Sequence, residues 1–211
     1  MKASEQERRD LIVVTADSQQ EHTVVTLLIE RWQSLGIRQL VIDANSDIYS
    51  LQNDPKTYHE AGRFLATFAK QYNYALVFID AKWDGSPSSA DEIERKIQED
   101  LDRNGWKDRS AVIVLDPELE IWVWSQSPHV PKLFGTDWKT IRALGGRRHY
   151  WQAEATKPSQ PKALLDAVLR QTGKRRSSAL FAQLAEKVGL KTCQEKSFCR
   201  FRDILQRWFP V

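Results

Sequence analysis

Short apolar runs rich in Val, Ile and Leu alternate with longer amphipathic segments over the first 117 residues. These runs predict four strands, at residues 11–14, 39–42, 74–79 and 111–115. Strands that are continuously apolar are typical of a sheet covered on both faces. The alternation of such strands with helical segments indicates βαβ units and a mainly parallel, Rossmann-like sheet of at least four strands with flanking helices.

The segments between the strands have helical spacing. Helices are predicted at about 20–35, 57–72 and 89–103, and Gly36 follows the first where a helix commonly ends. A short helix is predicted over 118–124, followed by a region rich in Pro, His and Gly up to about residue 150. Two or three further helices are predicted, near 161–172, 177–188 and 197–208. We therefore expect an α/β domain at 1–125 and a basic, mainly helical C-terminal extension at 126–211, packed on that domain.

Charge is distributed unequally between the two parts of the chain. Residues 1–137 hold 15 Lys and Arg against 23 Asp and Glu, whereas residues 138–211 hold 16 against 5. A basic segment beside an acidic site suits a protein that acts on nucleic acid, because neutralising phosphates supplies much of the binding free energy. The alternative is that the basic segment docks on the acidic half or on a partner protein.

Composition limits the class of protein. A chain of 211 residues with 41% hydrophobic residues is sufficient for one domain with a sizeable core. No apolar run approaches the roughly 20 residues that span a bilayer, and the first ten residues lack the apolar stretch of a signal peptide. We therefore expect a cytoplasmic protein that does not associate with a membrane.

Each predicted strand is followed by an aspartate. In order along the chain they are Asp17, Asp43, Asp80 and Asp116. Ligands of open parallel sheets bind at the carboxyl ends of the strands, where all four would lie. Converging carboxylates repel one another unless a cation is present, and hard oxygen ligands suit Mg²⁺, Mn²⁺ or Ca²⁺. The pattern predicts an acidic pocket for a metal or phosphate, although a single strand-end aspartate, Asp43 above all, is often only a turn residue.

Three acidic clusters, at 16–22, 80–85 and 116–124, resemble the motifs of TOPRIM-like domains in bacterial phage-defence proteins, including components of methylation-associated defence systems. The third cluster matches best, as Pro117-Glu118-Leu119-Glu120-Ile121-Trp122. The resemblance covers most of the chain but is carried by short motifs. It implies a divalent-metal-dependent nuclease of an antiviral defence system, acting on nucleic-acid phosphodiesters with Mg²⁺ or Mn²⁺.

The resemblance also implies roles for particular residues. Asp80, Asp84 and Glu120 would be metal ligands. Asp17 or Glu21 would supply the remaining acid, as a ligand or general base beside Asp80. Nucleic acid would bind to basic residues of the C-terminal half, where charge lies beside the rings of Tyr150 and Trp151. These basic residues are Arg147, Arg148, Lys174, Arg175 and Arg176.

Two departures from the family pattern leave an alternative open. Asp17 stands where the family has a glutamate, and Lys82 stands where it has the second acid of an Asp-x-Asp motif. These changes favour a catalytically degenerate subunit that binds a partner protein or nucleic acid without cleaving it. A receiver-like phosphoacceptor domain, with Asp80 as acceptor, fits the chain poorly because Asp17 and Asp80 lie far apart in sequence.

Overall fold

The computed structural model describes residues 8–190 and 193–211. Within them, four parallel strands form one sheet in the order β2-β1-β3-β4. The strands are β1 (Arg9–Thr15), β2 (Ile48–Ser50), β3 (Tyr72–Asp80) and β4 (Ser110–Leu115). This confirms the predicted α/β class, with a parallel, Rossmann-like sheet between flanking helices.

Helices follow each strand along the chain. In the first half they are α1 (Ser18–Val25), α2 (Trp32–Leu35), α3 (Asp54–Ala66), α4 (Ala90–Leu101) and α5 (Glu120–Val123). Segments of π-helix, Thr26–Glu30 and Asp102–Trp106, extend α1 and α4. In the second half they are α6 (His129–Phe134), α7 (Trp138–Arg147), α8 (Pro161–Gln171), α9 (Ser178–Lys187) and α10 (Lys196–Trp208). No helix among the described residues is long and apolar enough to cross a membrane.

Both faces of the sheet are buried, as the continuous apolar runs predict. Val13 and Ile113 point to one face, where α1 and the C-terminal helices cover them. Ile12 and Val77 point to the other face, beneath α3 and α4. Because side chains alternate along a strand, each run of consecutive apolar residues contributes to two cores at once.

The C-terminal half shares a hydrophobic core with the sheet. Phe201 of α10 packs edge-on against Phe78 of β3, with ring centroids 5.3 Å apart. Trp122 donates from Nε1 to Ser197 Oγ at 2.8 Å, and Trp124 donates to the Pro161 carbonyl at 3.0 Å. Both tryptophans therefore serve packing. Helices of the C-terminal half therefore cover one face of the sheet.

A side chain from the first half also fixes the end of α9. Arg31 donates to the backbone carbonyls of Ala185 at 2.7 Å and Val188 at 3.3 Å, and it also contacts that of Glu186. The last carbonyls of a helix lack partners within the helix, so this guanidinium supplies hydrogen bonds that α9 cannot make for itself.

The predicted strand at 39–42 is wrong. Leu40 enters the core, but Val41 is 78% exposed and its backbone N–H donates to Asp10 Oδ2 at 3.1 Å. The strand beside β1 is Ile48–Ser50, which pairs with Val13, Val14 and Thr15. A three-residue edge strand carries too little periodicity to be recognised from the sequence, whereas the apolar residues at 40–42 imitate one.

The region between residues 126 and 150 is more regular than its Pro, His and Gly content indicates. It forms α6 and α7, separated by Gly135, whose φ of 73° ends α6 in the left-handed conformation. Asp137 then caps α7, accepting from the Thr140 N–H at 2.8 Å. These capping residues are visible in the sequence and are the signal that identifies both helices.

Candidate functional site

Asp80 is the central acid at the carboxyl edge of the sheet. It is the last residue of β3 and only 8% exposed. Its Oδ1 accepts two hydrogen bonds, from Gln20 Nε2 at 2.9 Å and from the Leu119 N–H at 3.0 Å. The strand and two neighbouring segments therefore fix the orientation of this carboxylate.

Asp54 lies directly beside Asp80, although the sequence pattern did not identify it. It is the first residue of α3, and its Oδ1 accepts from the backbone N–H of Asp80 at 2.9 Å. Asn53 caps the same helix, accepting from the Lys56 N–H at 2.8 Å. The run Asn53-Asp54-Pro55 is a recognisable helix start, but only the tertiary structure brings it to the end of β3.

Asp17 caps α1 at the end of β1. Its Oδ1 accepts from the backbone N–H groups of Gln19 and Gln20, both at 2.8 Å. This is the usual task of an aspartate at a helix N-terminus. Glu21 lies in the first turn of the same helix and is half-buried.

The Pro-Glu-Leu-Glu motif supplies two further acids. The Pro117 carbonyl accepts from the N–H groups of Ala81 and Lys82, at 3.0 and 3.1 Å, so the motif folds back over the end of β3. Glu120 begins α5 and is 1% exposed, while Glu118 is half-buried. The motif that carries the family resemblance thus lies beside Asp80.

Burial and mutual repulsion raise the pKa values of three of these acids. Burial and the negative charges of Asp54, Glu120, Asp17 and Glu118 raise the pKa of Asp80 well above its ordinary value. Burial, with the Asp17 charge adding to it, raises the pKa of Asp54 to about 6, against the opposing hydrogen bond from the Asp80 N–H. Burial and the Glu120 charge raise the pKa of Glu118 as well. We call these five carboxylates the acidic crevice.

Two cations from the C-terminal half reach into the acidic crevice. The guanidinium of Arg176, which precedes α9, forms an ion pair with Glu120. Lys162, near the start of α8, places Nζ 3.8 Å from Glu118 Oε2, and its backbone N–H donates to Glu118 Oε1 at 3.0 Å. Positive charge from the protein itself therefore offsets part of the negative charge.

Other predicted site residues lie outside the acidic crevice. Lys82 and Asp84 are exposed in the loop after β3. Asp116 is exposed as well. Asp43 follows no strand, and its Oδ1 accepts from the Asn45 N–H at 2.8 Å. Asp43 is a turn residue, the alternative that the sequence left open.

The predicted nucleic-acid-binding residues divide into two groups. Arg147, Arg148, Lys174 and Arg175 are exposed, whereas Arg176 is directed into the acidic crevice. Trp151 is 6% exposed and donates from Nε1 to the Ala155 carbonyl at 2.9 Å. Its ring packs in the core and cannot stack on a base, whereas Tyr150, the other ring of the prediction, is half-buried.

The acidic crevice has the oxygen donors that a divalent ion prefers, but the three predicted ligands are not arranged around one position. Its oxygen donors are those that Mg²⁺ and Mn²⁺ prefer. Of the three predicted ligands, however, Asp84 lies in an exposed loop and Glu120 is already paired with Arg176. Across residues 8–190 and 193–211, no group of three or more His, Cys, Asp or Glu side chains is arranged to hold a metal ion. As arranged, these residues do not fit a resident divalent ion.

Comparisons with models of protein families, with curated proteins and with solved structures give no match. The likeness to TOPRIM-like domains therefore rests on the motifs of the sequence.

Proposed function

We propose that this chain is a TOPRIM-like component of a bacterial antiviral defence system that binds nucleic acid through its basic C-terminal half without cleaving it. The assignment to a defence system rests on the resemblance of the motif from Pro117 to Trp122 to TOPRIM-like domains of phage-defence proteins. The observation that carries the binding role is the group of exposed cations at both ends of α8. Such cations, free to contact phosphates, are what sequence-independent nucleic-acid binding requires.

The exposed cations form two pairs. Arg147 and Arg148 end α7, which packs along α8, and Gly145 lies against Leu164 near the start of α8. Lys174 and Arg175 follow the other end of α8. The helix between them, α8, has 11 residues and is about 16 Å long, a length that spans several phosphates of a nucleic-acid strand. We infer that both pairs contribute to one binding surface.

Salt-dependent binding tests this role. Fluorescence anisotropy would measure the affinity for labelled DNA and RNA oligonucleotides over a range of salt concentrations. Replacing either exposed pair by alanine should weaken binding and reduce the salt dependence by about one unit for each phosphate that the variant no longer neutralises. Lys70→Ala with Lys107→Ala, two exposed cations of the first half, is the control. If all three variants bind like the wild type, the basic half does not bind nucleic acid.

A second candidate, the metal-dependent nuclease, is favoured by the number of carboxylates that meet at the edge of the sheet. Asp54 adds to the acids that the sequence identified, and the raised pKa of Asp80 is typical of functional sites. The test is cleavage of DNA and RNA with and without Mg²⁺ or Mn²⁺. Cleavage that Asp80→Asn abolishes and Asp84→Asn preserves would replace the non-cleaving proposal by this one.

A further inference from the structure

Arg176 is held in place by contacts on several sides. Its Nη2 donates to Gln19 Oε1 at 2.8 Å, and its Nη1 lies 3.6 Å from Asp166 Oδ1. The guanidinium carbon lies 5.3 Å from the ring centroid of Phe181. Its partner in the acidic crevice is Glu120, whose side chain is 1% exposed. The guanidinium is thus fixed at the deepest glutamate of the acidic crevice.

The charge of Glu120 needs a cation. An ionised carboxylate removed from water is strongly destabilising unless a positive group compensates it. A second carboxylate stands close by, since Asp80 Oδ1 accepts at 3.0 Å from the N–H of Leu119, the residue before Glu120. In a metal site a divalent ion would supply this compensation. In this chain a guanidinium supplies it, because Arg stays charged at every relevant pH and hydrogen-bonds well to carboxylates.

We propose that Arg176 is the resident counter-cation of the acidic crevice and takes the place that a divalent ion would otherwise fill. The wild-type protein then binds neither Mg²⁺ nor Mn²⁺ at this site. Removing the guanidinium exposes the uncompensated charge of Glu120, and a divalent ion can then bind beside it. This inference rests on the non-cleaving part of the proposed function and explains it.

Titration with Mn²⁺ alone tests the inference. Isothermal titration calorimetry and thermal unfolding, with and without MnCl₂, would compare the wild type with Arg176→Gln. We expect no binding heat and no shift in midpoint for the wild type. The variant should unfold at a lower temperature, bind Mn²⁺ and recover part of its midpoint when the ion is present, since a ligand of the folded state stabilises it. Arg170→Gln, which removes an exposed arginine of α8, should behave as the wild type.

Two results would overturn the inference: wild-type binding of Mn²⁺ as tight as that of Arg176→Gln, or a folded Arg176→Gln that gains no binding. If Arg176→Gln does not fold, a double variant that carries both Arg176→Gln and Glu120→Gln tests whether the loss of charge compensation is the cause. It should fold and bind no Mn²⁺, because it removes both charges of the pair. If the double variant also fails to fold, the fold requires Arg176 for a reason other than compensating the charge of Glu120, and the inference is overturned. No nucleic acid is present in these titrations, so their failure leaves the anisotropy result on nucleic-acid binding intact.

Discussion

Replacing Asp54 by asparagine should stabilise the protein at neutral pH. The folded structure raises the pKa of this carboxyl from 3.8 to about 6, chiefly by burial and by the Asp17 charge. Each pKa unit corresponds to about 1.4 kcal/mol, so the ionised group costs the folded state about 3 kcal/mol at pH 7. Asparagine carries no charge and keeps an oxygen that can accept from the Asp80 N–H.

The direction of the pH dependence follows from the raised pKa. Below about pH 3.8 the carboxyl is protonated in both the folded and the unfolded state. As pH rises from there to about 6, the unfolded state releases its proton first, so the free energy of unfolding falls. Above pH 6 both states are ionised and the penalty is constant. The difference between Asp54→Asn and the wild type should therefore be near zero at pH 4 and approach about 3 kcal/mol at pH 7.

Urea unfolding followed by tryptophan fluorescence at a series of pH values measures this difference. Subtracting the two curves removes titrations common to both proteins, although the relief that Asp80 gains from the removal of the Asp54 charge remains and has the same sign. Asp84→Asn, in an exposed loop, is the matched control and should follow the wild type. If Asp54→Asn follows the wild type between pH 4 and 7, or is less stable at pH 7, the electrostatic account of the acidic crevice is wrong.

Three further variants and two controls test the fold in the same assay. Arg31→Ala should lower the free energy of unfolding by about 1–3 kcal/mol because carbonyls at the end of α9 lose their partner; Arg63→Ala, on an exposed face, should not. Gly62→Ala should cost about 1–3 kcal/mol because its methyl group would collide with an α4 side chain. Gly146→Ala, with open space around it, should be neutral or slightly stabilising. Val41→Ser should change stability by less than about 0.5 kcal/mol, whereas a buried strand residue would lose more.

The sequence predicts β1, β3 and β4 because their side chains enter two cores at once. A run such as 74–79 must be apolar at every position, and that leaves a clear signal. The edge strand Ile48–Ser50 has one strand neighbour and three residues, and it is positioned partly by its surroundings. The buried Asp47 just before it accepts hydrogen bonds from Tyr72 at 2.7 Å and Arg9 at 2.6 Å. Contacts between segments that are distant in sequence leave no pattern in the local sequence from which the strand could be predicted.

The acidic crevice could be predicted from the sequence only in part. Asp17 and Asp80 stand at the ends of recognisable strands, and the Pro-Glu-Leu-Glu motif gives Glu120. Asp54 arrives there because α3 begins beside the end of β3, a consequence of strand order that the local sequence does not determine. Arg176 is separated from its partner by more than 50 residues, and its neighbours Lys174 and Arg175 are exposed. No feature of the local sequence distinguishes Arg176, which points into the acidic crevice, from its exposed neighbours.

The opposite charges of the two halves left two interpretations open: binding to nucleic acid, or docking on the acidic half or on a partner protein. The positions of some cations agree with the first interpretation, and the positions of others agree with the second. Arg176 and Lys162 contact the acidic crevice, whereas Arg147, Arg148, Lys174 and Arg175 remain exposed. The inward cations lower the repulsion among carboxylates that would otherwise require an external ion, and the outward ones keep a positive surface at the end of α7 and after α8. The proposed binding to nucleic acid depends on both, because an uncompensated acidic crevice would repel the phosphates that the basic surface attracts.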